Sequence, residues 1–205
     1  MDKFSYSLGL SLGQSMIGTG VEKIDFESFI SGLKDVYTNN PNPQISPEEG
    51  NKILDEYFSK KKSEKEIQLQ KEREENLKTA KEFLNQNRVQ DGVTETASGL
   101  QYRRLKVAEG EKKRLTPHSR VKCHYEGRFT DGKIFDSSYR RGEPAVFSLE
   151  RVIPGWTEGL QLMGVGDKYE FVIPPQLGYG EVGIPGHIPG NSVLIFTVEL
   201  LDVVE

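Results

Sequence analysis

The spacing of hydrophobic positions changes character near residue 90. From Phe4 to about Arg88 apolar residues recur at helical intervals, in three segments. The first, over 4–16, sets Phe4, Leu8, Leu12 and Met16 on one face, with Gly9 and Gly13 one turn apart on an adjoining face. Each glycine in a helix interior costs about 1 kcal/mol relative to alanine. A pair at that spacing suits the close approach of another helix, the alternative being a merely weak helix. Asp25 is the expected N-cap of a second helix that carries Phe26, Phe29, Ile30, Leu33, Val36 and Tyr37 on its buried face.

The breaker "TNNPNP" is followed by Ser46-Pro47-Glu48-Glu49, which combines an N-cap serine, a proline at N1 and a glutamate at N3. This capping box opens a long third helix that meets no breaker until the vicinity of residue 88. Ile53, Leu54, Tyr57 and Phe58 make its start apolar, and Leu77, Ala80, Phe83 and Leu84 its finish. The charged middle, "SKKKSEKEIQLQKEREEN", has Glu56 to Lys60, Lys62 to Glu66 and Glu74 to Lys78 at helix-stabilising spacing. It predicts a solvated stalk roughly 60 Å long. A coiled coil is the alternative, but the middle lacks apolar a/d heptads.

From Gly92 onward the pattern becomes short strands separated by Gly/Pro turns. In "VKCHYEGRF", Val121, Cys123, Tyr125 and Phe129 face one way while Lys122, His124, Glu126 and Arg128 face the other. "KYEFVIPP" and "SVLIFTVELLDV" predict two further strands. "GWTEGLQLM" predicts one short helix with Trp156, Leu160 and Met163 on one side. The economical assembly is α+β: an all-helical segment with a stalk over 1–92, then a twisted antiparallel sheet wrapped over one helix over 93–205.

Composition narrows the class of function. Over 205 residues the net charge is only −4, with acidic and basic residues interspersed, so no basic stripe for nucleic acid is present. No apolar run approaches the ~18 residues that span a bilayer. The chain reads as cytoplasmic as it stands, or as periplasmic if a signal peptide has been cleaved from it. The single cysteine, Cys123, excludes an intrachain disulfide and suits a reducing compartment.

Candidate chemistry is narrowed mainly by subtraction. Cys123 and His124 are strand neighbours, so their side chains leave opposite faces and form no nucleophilic dyad. His118, His124 and His187 lack metal-ligand spacing, and "GVGDK" and "GYGEVG" continue into neither a phosphate loop nor a dinucleotide fingerprint. No cofactor or metal is expected. The aromatics Tyr125, Phe135, Phe147, Trp156, Tyr179 and Phe196, with Val152 and Ile153, suggest an apolar pocket with a few placed polar groups. Any one of them alone is more often plain core, and it is the set together that suggests the pocket. Such a pocket suits a greasy, cyclic, amide-bearing ligand. Asp136 follows Ile134 and Phe135 just past the turn Thr130-Asp131-Gly132-Lys133, where the pattern predicts burial.

"VKCHYEGRFTDGKIFDSS", "RVIPGWTEGLQLMGVGDKYEFVIPPQLGYGEVG" and "IPGNSVLIFTVELLDV" resemble the FKBP-type peptidyl-prolyl isomerases across residues 99–204. The helical half, notably "YSLGLSLGQ" and the long helix, resembles the dimerising segment of their bacterial macrophage infectivity potentiator-like group. The resemblance implies an FKBP half-barrel and assigns Tyr125, Phe135, Asp136, Val152, Ile153, Trp156, Tyr179 and Phe196 to the catalytic pocket. Arg141, Phe147, Ile184, His187 and Ile188 would bind substrate. It further implies that Trp156 floors the pocket, that the Ile153 N–H and Tyr179 hydroxyl bind ligand carbonyls, and that Arg141 and a tyrosine hydroxyl hold a buried Asp136. Ala145 and Arg151 stand where the family commonly has phenylalanine and glutamate, and Ile184 and His187 occupy positions usually His and Ile; these bear on substrate preference and macrolide affinity.

The implied reaction is rotation about X-Pro bonds in unfolded or partly folded proteins, on a homodimer joined through residues 1–45, with rapamycin-type macrolides as competing ligands. Two further readings stay open: a holdase chaperone acting through a cleft between dimer arms, and a scaffold that uses an inactive isomerase fold to bind proline-containing loops.

Overall fold

The computed structural model describes residues 1–109 and 115–204. The chain divides into two compact units, Met1–Gln68 and the residues from Leu69 onward. The first contains α1 (Lys3–Gly18), α2 (Phe26–Tyr37) and the start of α3 (Pro47–Asn87). Their N-termini are capped by short polar side chains. Asp2 accepts from the Ser5 N–H at 2.7 Å, Asp25 from the Ser28 N–H at 2.8 Å, and Ser46 Oγ from the Glu49 N–H at 3.1 Å.

Those helices form as their periodicity predicts, but within one chain they do not bury their apolar faces. No residue of Met1–Gln68 is fully buried. Phe4 is 76% exposed, Phe26 69% and Val36 76%, so the face expected to be buried on α2 is largely open. Beyond the neighbouring backbone of α1 itself, no atom of the described residues lies within 4 Å of where a Cβ would stand on Gly9 or Gly13. The unit is held internally by contacts such as Tyr57 Oη to the Gly20 carbonyl at 3.3 Å and Lys61 Nζ to Glu22 at 3.2 Å. Exposed pairs of this kind contribute little.

The second unit is built on an antiparallel sheet in the order β1-β2-β6-β7-β3-β4, with β5 also paired to β3. The strands are β1 (Val93–Glu95), β2 (Gln101–Lys106), β3 (Arg120–Arg128), β4 (Ile134–Ser137), β5 (Ala145–Ser148), β6 (Lys168–Ile173) and β7 (Leu194–Val204). Two helices interrupt them, the single turn α4 (Ser138–Arg141) and α5 (Pro154–Leu160). Alternation governs the faces. Val121, Cys123 and Tyr125 of β3, Tyr169, Phe171 and Ile173 of β6, and Leu194, Phe196, Val198 and Leu200 of β7 share the main core with Trp156 and Leu160 of α5 and with Met163 just beyond it.

The opposite face is covered at its centre. Val172, Val193 and Ile195 form a second buried cluster with Ala80 of α3, and Phe83 and Leu84 pack against it. The apolar finish of α3 therefore belongs with the sheet. The polar run expected to stay wholly in water is also engaged near its end: Asn76 Nδ2 donates to the Gly190 carbonyl, and Asn191 Nδ2 to the Arg73 carbonyl, both at 2.9 Å. No helix is long and apolar enough to cross a membrane among the described residues.

The packing of α3 makes the expected boundary at 92/93 a matter of stability. A fragment of residues 69–205 and one of residues 93–205 should both fold and both turn over short X-Pro peptides. The shorter fragment, without Ala80, Phe83 and Leu84, should be less stable by about 3 kcal/mol in urea titrations. Equal stabilities would show that the second cluster contributes nothing.

Candidate active site

A cavity of about 580 Å3 opens between the concave face of the sheet, α5 and the loop that precedes β7. Tyr125 enters it from β3, Phe135 and Asp136 from β4, Phe147 from β5 and Phe196 from β7. Val152 and Ile153 come from the turn before α5, and Trp156 from the first turn of α5. Tyr179, Ile184, His187 and Ile188 come from the loop over 179–193. Twelve of the thirteen residues singled out from the sequence thus line one cavity, with Arg151 beside them. Arg141, at the end of α4, reaches it through Asp136 and Tyr125.

Trp156 is the centre of the aromatic set. Its ring lies 5.2 Å from those of Tyr125, Phe147 and Phe196, edge-on to each. Phe135 meets Phe196 edge-on at 5.5 Å. Such edge-to-face pairs add about 0.5–1.5 kcal/mol each beyond the area they bury. Gly127 lets them close. A Cβ there would stand 2.6 Å from Phe196 and 2.7 Å from Phe135, so any larger residue at this point of β3 would push the rings apart.

One polar network edges this apolar wall. The Tyr125 hydroxyl donates to Asp136 Oδ2 at 2.5 Å and accepts from Arg141 Nη2 at 2.7 Å, while Arg141 Nη1 donates to Asp136 Oδ1. The guanidinium also lies 5.5 Å from the Tyr125 ring centre. Asp136 is half-buried and Arg141 exposed, so the carboxylate sits at the rim rather than in the fully buried position expected from the sequence. The turn after Phe129 brings β4 to the sheet's edge, and water reaches the carboxylate there.

Burial pushes the Asp136 carboxyl upward, but the Tyr125 hydroxyl and the Arg141 guanidinium outweigh it and hold the group below its ordinary value. Asp136 is ionised at neutral pH. Burial, with donation to Asp136, pushes the Tyr125 hydroxyl up to about 12, so it stays a proton donor. The Tyr179 hydroxyl is also raised, by burial and by the charge of Asp136. Neither it nor the Ile153 N–H has a hydrogen-bond partner among the described residues.

The residues set aside from the sequence stay apart. Cys123 is wholly buried and its thiol is pushed up to about 12 by burial, so it is no nucleophile. His124, on the other face of β3, stacks on Tyr139 at 4.6 Å and meets Ser138 Oγ at 3.0 Å. His118 is exposed and pairs with Glu150.

Known proteins match both parts of the chain. Residues 111–201 match the FKBP-type peptidyl-prolyl cis-trans isomerase domain, and residues 1–103 the domain amino-terminal to it. The FKBP-type peptidyl-prolyl cis-trans isomerase FkpA of Aeromonas hydrophila is 42% identical over 98% of this chain and 75% of its own length. The chain belongs to the FKBP-type peptidyl-prolyl cis-trans isomerases. The FKBP-type 22 kDa peptidyl-prolyl cis-trans isomerase of Escherichia coli is 38% identical over 97% of this chain and 93% of its own. The crystal structure of FkpA from Escherichia coli matches with a TM-score of 0.74 at 38% identity, covering 98% of this FKBP and 95% of that chain.

The Asp136 network makes stability depend on pH in a defined sense. Because its folded value is depressed, Asp136 contributes stability that is fully present above the unfolded value, about 3.9, and is lost as pH falls through the folded one. Asp136→Asn should cost about 1–2 kcal/mol at pH 6–7, since the network is half-exposed. That difference should shrink below about pH 4 in urea titrations. A difference independent of pH would show that the ionised carboxylate is not what holds Tyr125 and Arg141.

Proposed function

We propose that this cavity is where the FKBP-type isomerase activity resides, and that it works by enclosing the twisted X-Pro amide without a covalent step. The carrying observation is the apolar cage around Trp156, whose lining residues bring unpartnered donors that include the Ile153 N–H and the Tyr179 hydroxyl. Rotation about X-Pro faces a barrier near 20 kcal/mol because the planar amide is conjugated. At 90° the conjugation is lost and charge separation falls, so an apolar enclosure favours the twisted form over the planar one. The two donors fix the carbonyls flanking proline while the bond turns, and the prolyl ring packs among Phe135, Phe147, Trp156 and Phe196. Asp136 organises Tyr125 and Arg141 and is not a general base.

A greasy, cyclic, amide-bearing ligand such as a rapamycin-type macrolide would compete for the same cage. Arg151, which adds a cation to the lining, and Ala145, which packs against the main core two residues before Phe147 on β5, bear on that affinity.

The helical unit supports a second part of the reading, self-association through residues 1–45. Its apolar faces have no cover within the chain, and open space surrounds Gly9 and Gly13. A second copy presents the same faces and satisfies both at once. Two pockets in one assembly raise the effective concentration of the second for a long client. A holding action on unfolded chains then accompanies isomerisation.

Tyr179→Phe should lower kcat/KM for a short X-Pro peptide about threefold to tenfold, through loss of one hydrogen bond, with the fold unchanged. An unchanged rate would remove Tyr179 from the site. Light scattering should find the full chain dimeric. Deleting residues 1–45 should give a monomer whose action on a proline-limited refolding protein falls far more than its action on peptides. A monomeric full chain, or equal losses on both substrates, would refute the association. Suppression of aggregation of a proline-free client, measured beside these, separates holding from catalysis.

A further inference from the structure

Resting on the pocket assigned above, we propose that Asn76 and Asn191 are positioning residues for the isomerase, clamping the base of the 179–193 loop to α3 so that Ile184, His187 and Ile188 stay in the pocket wall. The loop has no regular structure beyond one bridge, in which Ile184 and Ile188 exchange backbone hydrogen bonds at 2.8 Å. Its other backbone bonds are short-range or internal: Gly180 N–H to the Pro175 carbonyl, Gly183 N–H to Tyr179, His187 N–H to Ile184, and Asn191 N–H to Gly180. They give the loop its shape without fixing it to a separate element. A segment of this kind ordinarily opens at little cost.

What lies behind the wall makes the attachment matter. A second cavity, also of about 580 Å3, is bordered by Arg73, Asn76, Thr79 and Ala80 of α3 and by the loop, and Ile184, His187 and Ile188 line both cavities. The wall is thus one layer of residues with open space on its far side. Packing holds part of it, since Ile188 belongs to the main core and Ile184 packs against that core, whereas His187 is exposed.

The two bonds to α3 meet the loop at its base. Asn191 is 6% exposed and holds φ +58°, a left-handed conformation that asparagine tolerates. From there its Nδ2 donates to the Arg73 carbonyl at 2.9 Å. One turn along the helix, Asn76 Nδ2 returns a bond of 2.9 Å to the Gly190 carbonyl. At the same point the two arms of the loop touch, since a Cβ on Gly190 would lie 2.0 Å from the Glu181 carbonyl oxygen. A shift of the base therefore carries both arms, and with them the wall. The reciprocal amide bonds give α3 a direct part in the shape of the pocket.

The test uses the full chain carrying Asn76→Ala, Asn191→Gly, or both. Glycine at 191 keeps the backbone conformation, and alanine at 76 suits the helix. Each single variant should raise KM for a short X-Pro peptide about threefold to tenfold while kcat changes by less than about twofold. The double variant should be little worse than the more affected single one, because either loss opens the same clamp. Amide exchange at Ile184 and Ile188 should accelerate while exchange in β3, β6 and β7 does not. A KM within about twofold of the parent, or exchange that accelerates across the whole sheet, would overturn the proposal. Tyr179→Phe measured alongside separates the two levels. If it too leaves turnover unchanged, the pocket reading fails and the clamp with it; if it lowers turnover and the asparagine variants do not, the clamp alone fails.

Discussion

The packing of the Trp156 indole against three other rings is the contact on which the isomerase unit and its pocket both depend. Tyr125 lies on β3, and Phe147 of β5 and Phe196 of β7 lie on strands that both pair with β3; the indole meets all three rings edge-on. The same contact therefore fixes α5 on the sheet and lays down an apolar floor. The indole Nε1 is the one buried side-chain polar atom without a hydrogen-bond partner among the described residues. Such a group costs about 1–3 kcal/mol.

Polarity is confined to the edge of this floor. The Tyr125–Asp136–Arg141 network sets a negative group at the rim, where water still reaches it, while the Tyr125 ring itself remains in the core. An ionised carboxylate at the pocket's centre would stabilise the charge-separated planar amide and oppose the twist. At the rim it instead holds the tyrosine and arginine in place. In the proposed mechanism electrostatics and catalysis are compatible because they occupy different depths.

Much of this is legible in the chain because period-2 alternation and turn residues are local signals. "VKCHYEGRF" sends Val121, Cys123 and Tyr125 to the core, and Ser46-Pro47-Glu48-Glu49 starts α3 at Pro47. The short strands β1, β4 and β5 carry too few residues to display a period, and their places come from pairing with β2 and β3. Asp136 reads as buried because Ile134 and Phe135 precede it, whereas its exposure is decided by the edge position of β4, a property of the whole sheet. Asn76 and Asn191 carry no sequence signal as partners. They are far apart in the chain, and each looks like an ordinary polar residue until α3 packs on Val172, Val193 and Ile195.

The helical unit shows the same dependence from the other side. Its caps and periods are local and the helices form, yet Phe4, Phe26 and Val36 are exposed within one chain, because burial depends on a facing surface that local signals do not specify. The central claim concerns the other unit: that the prolyl ring packs against Trp156. Trp156 is the only tryptophan of the chain, so its indole N–H gives a single resolved signal in a proton–nitrogen spectrum. Titrating the full chain with a short X-Pro peptide should shift that signal saturably, in step with the appearance of cis–trans exchange in the peptide's own spectrum. Peptide exchange catalysed while the Trp156 signal stays unmoved would contradict the account.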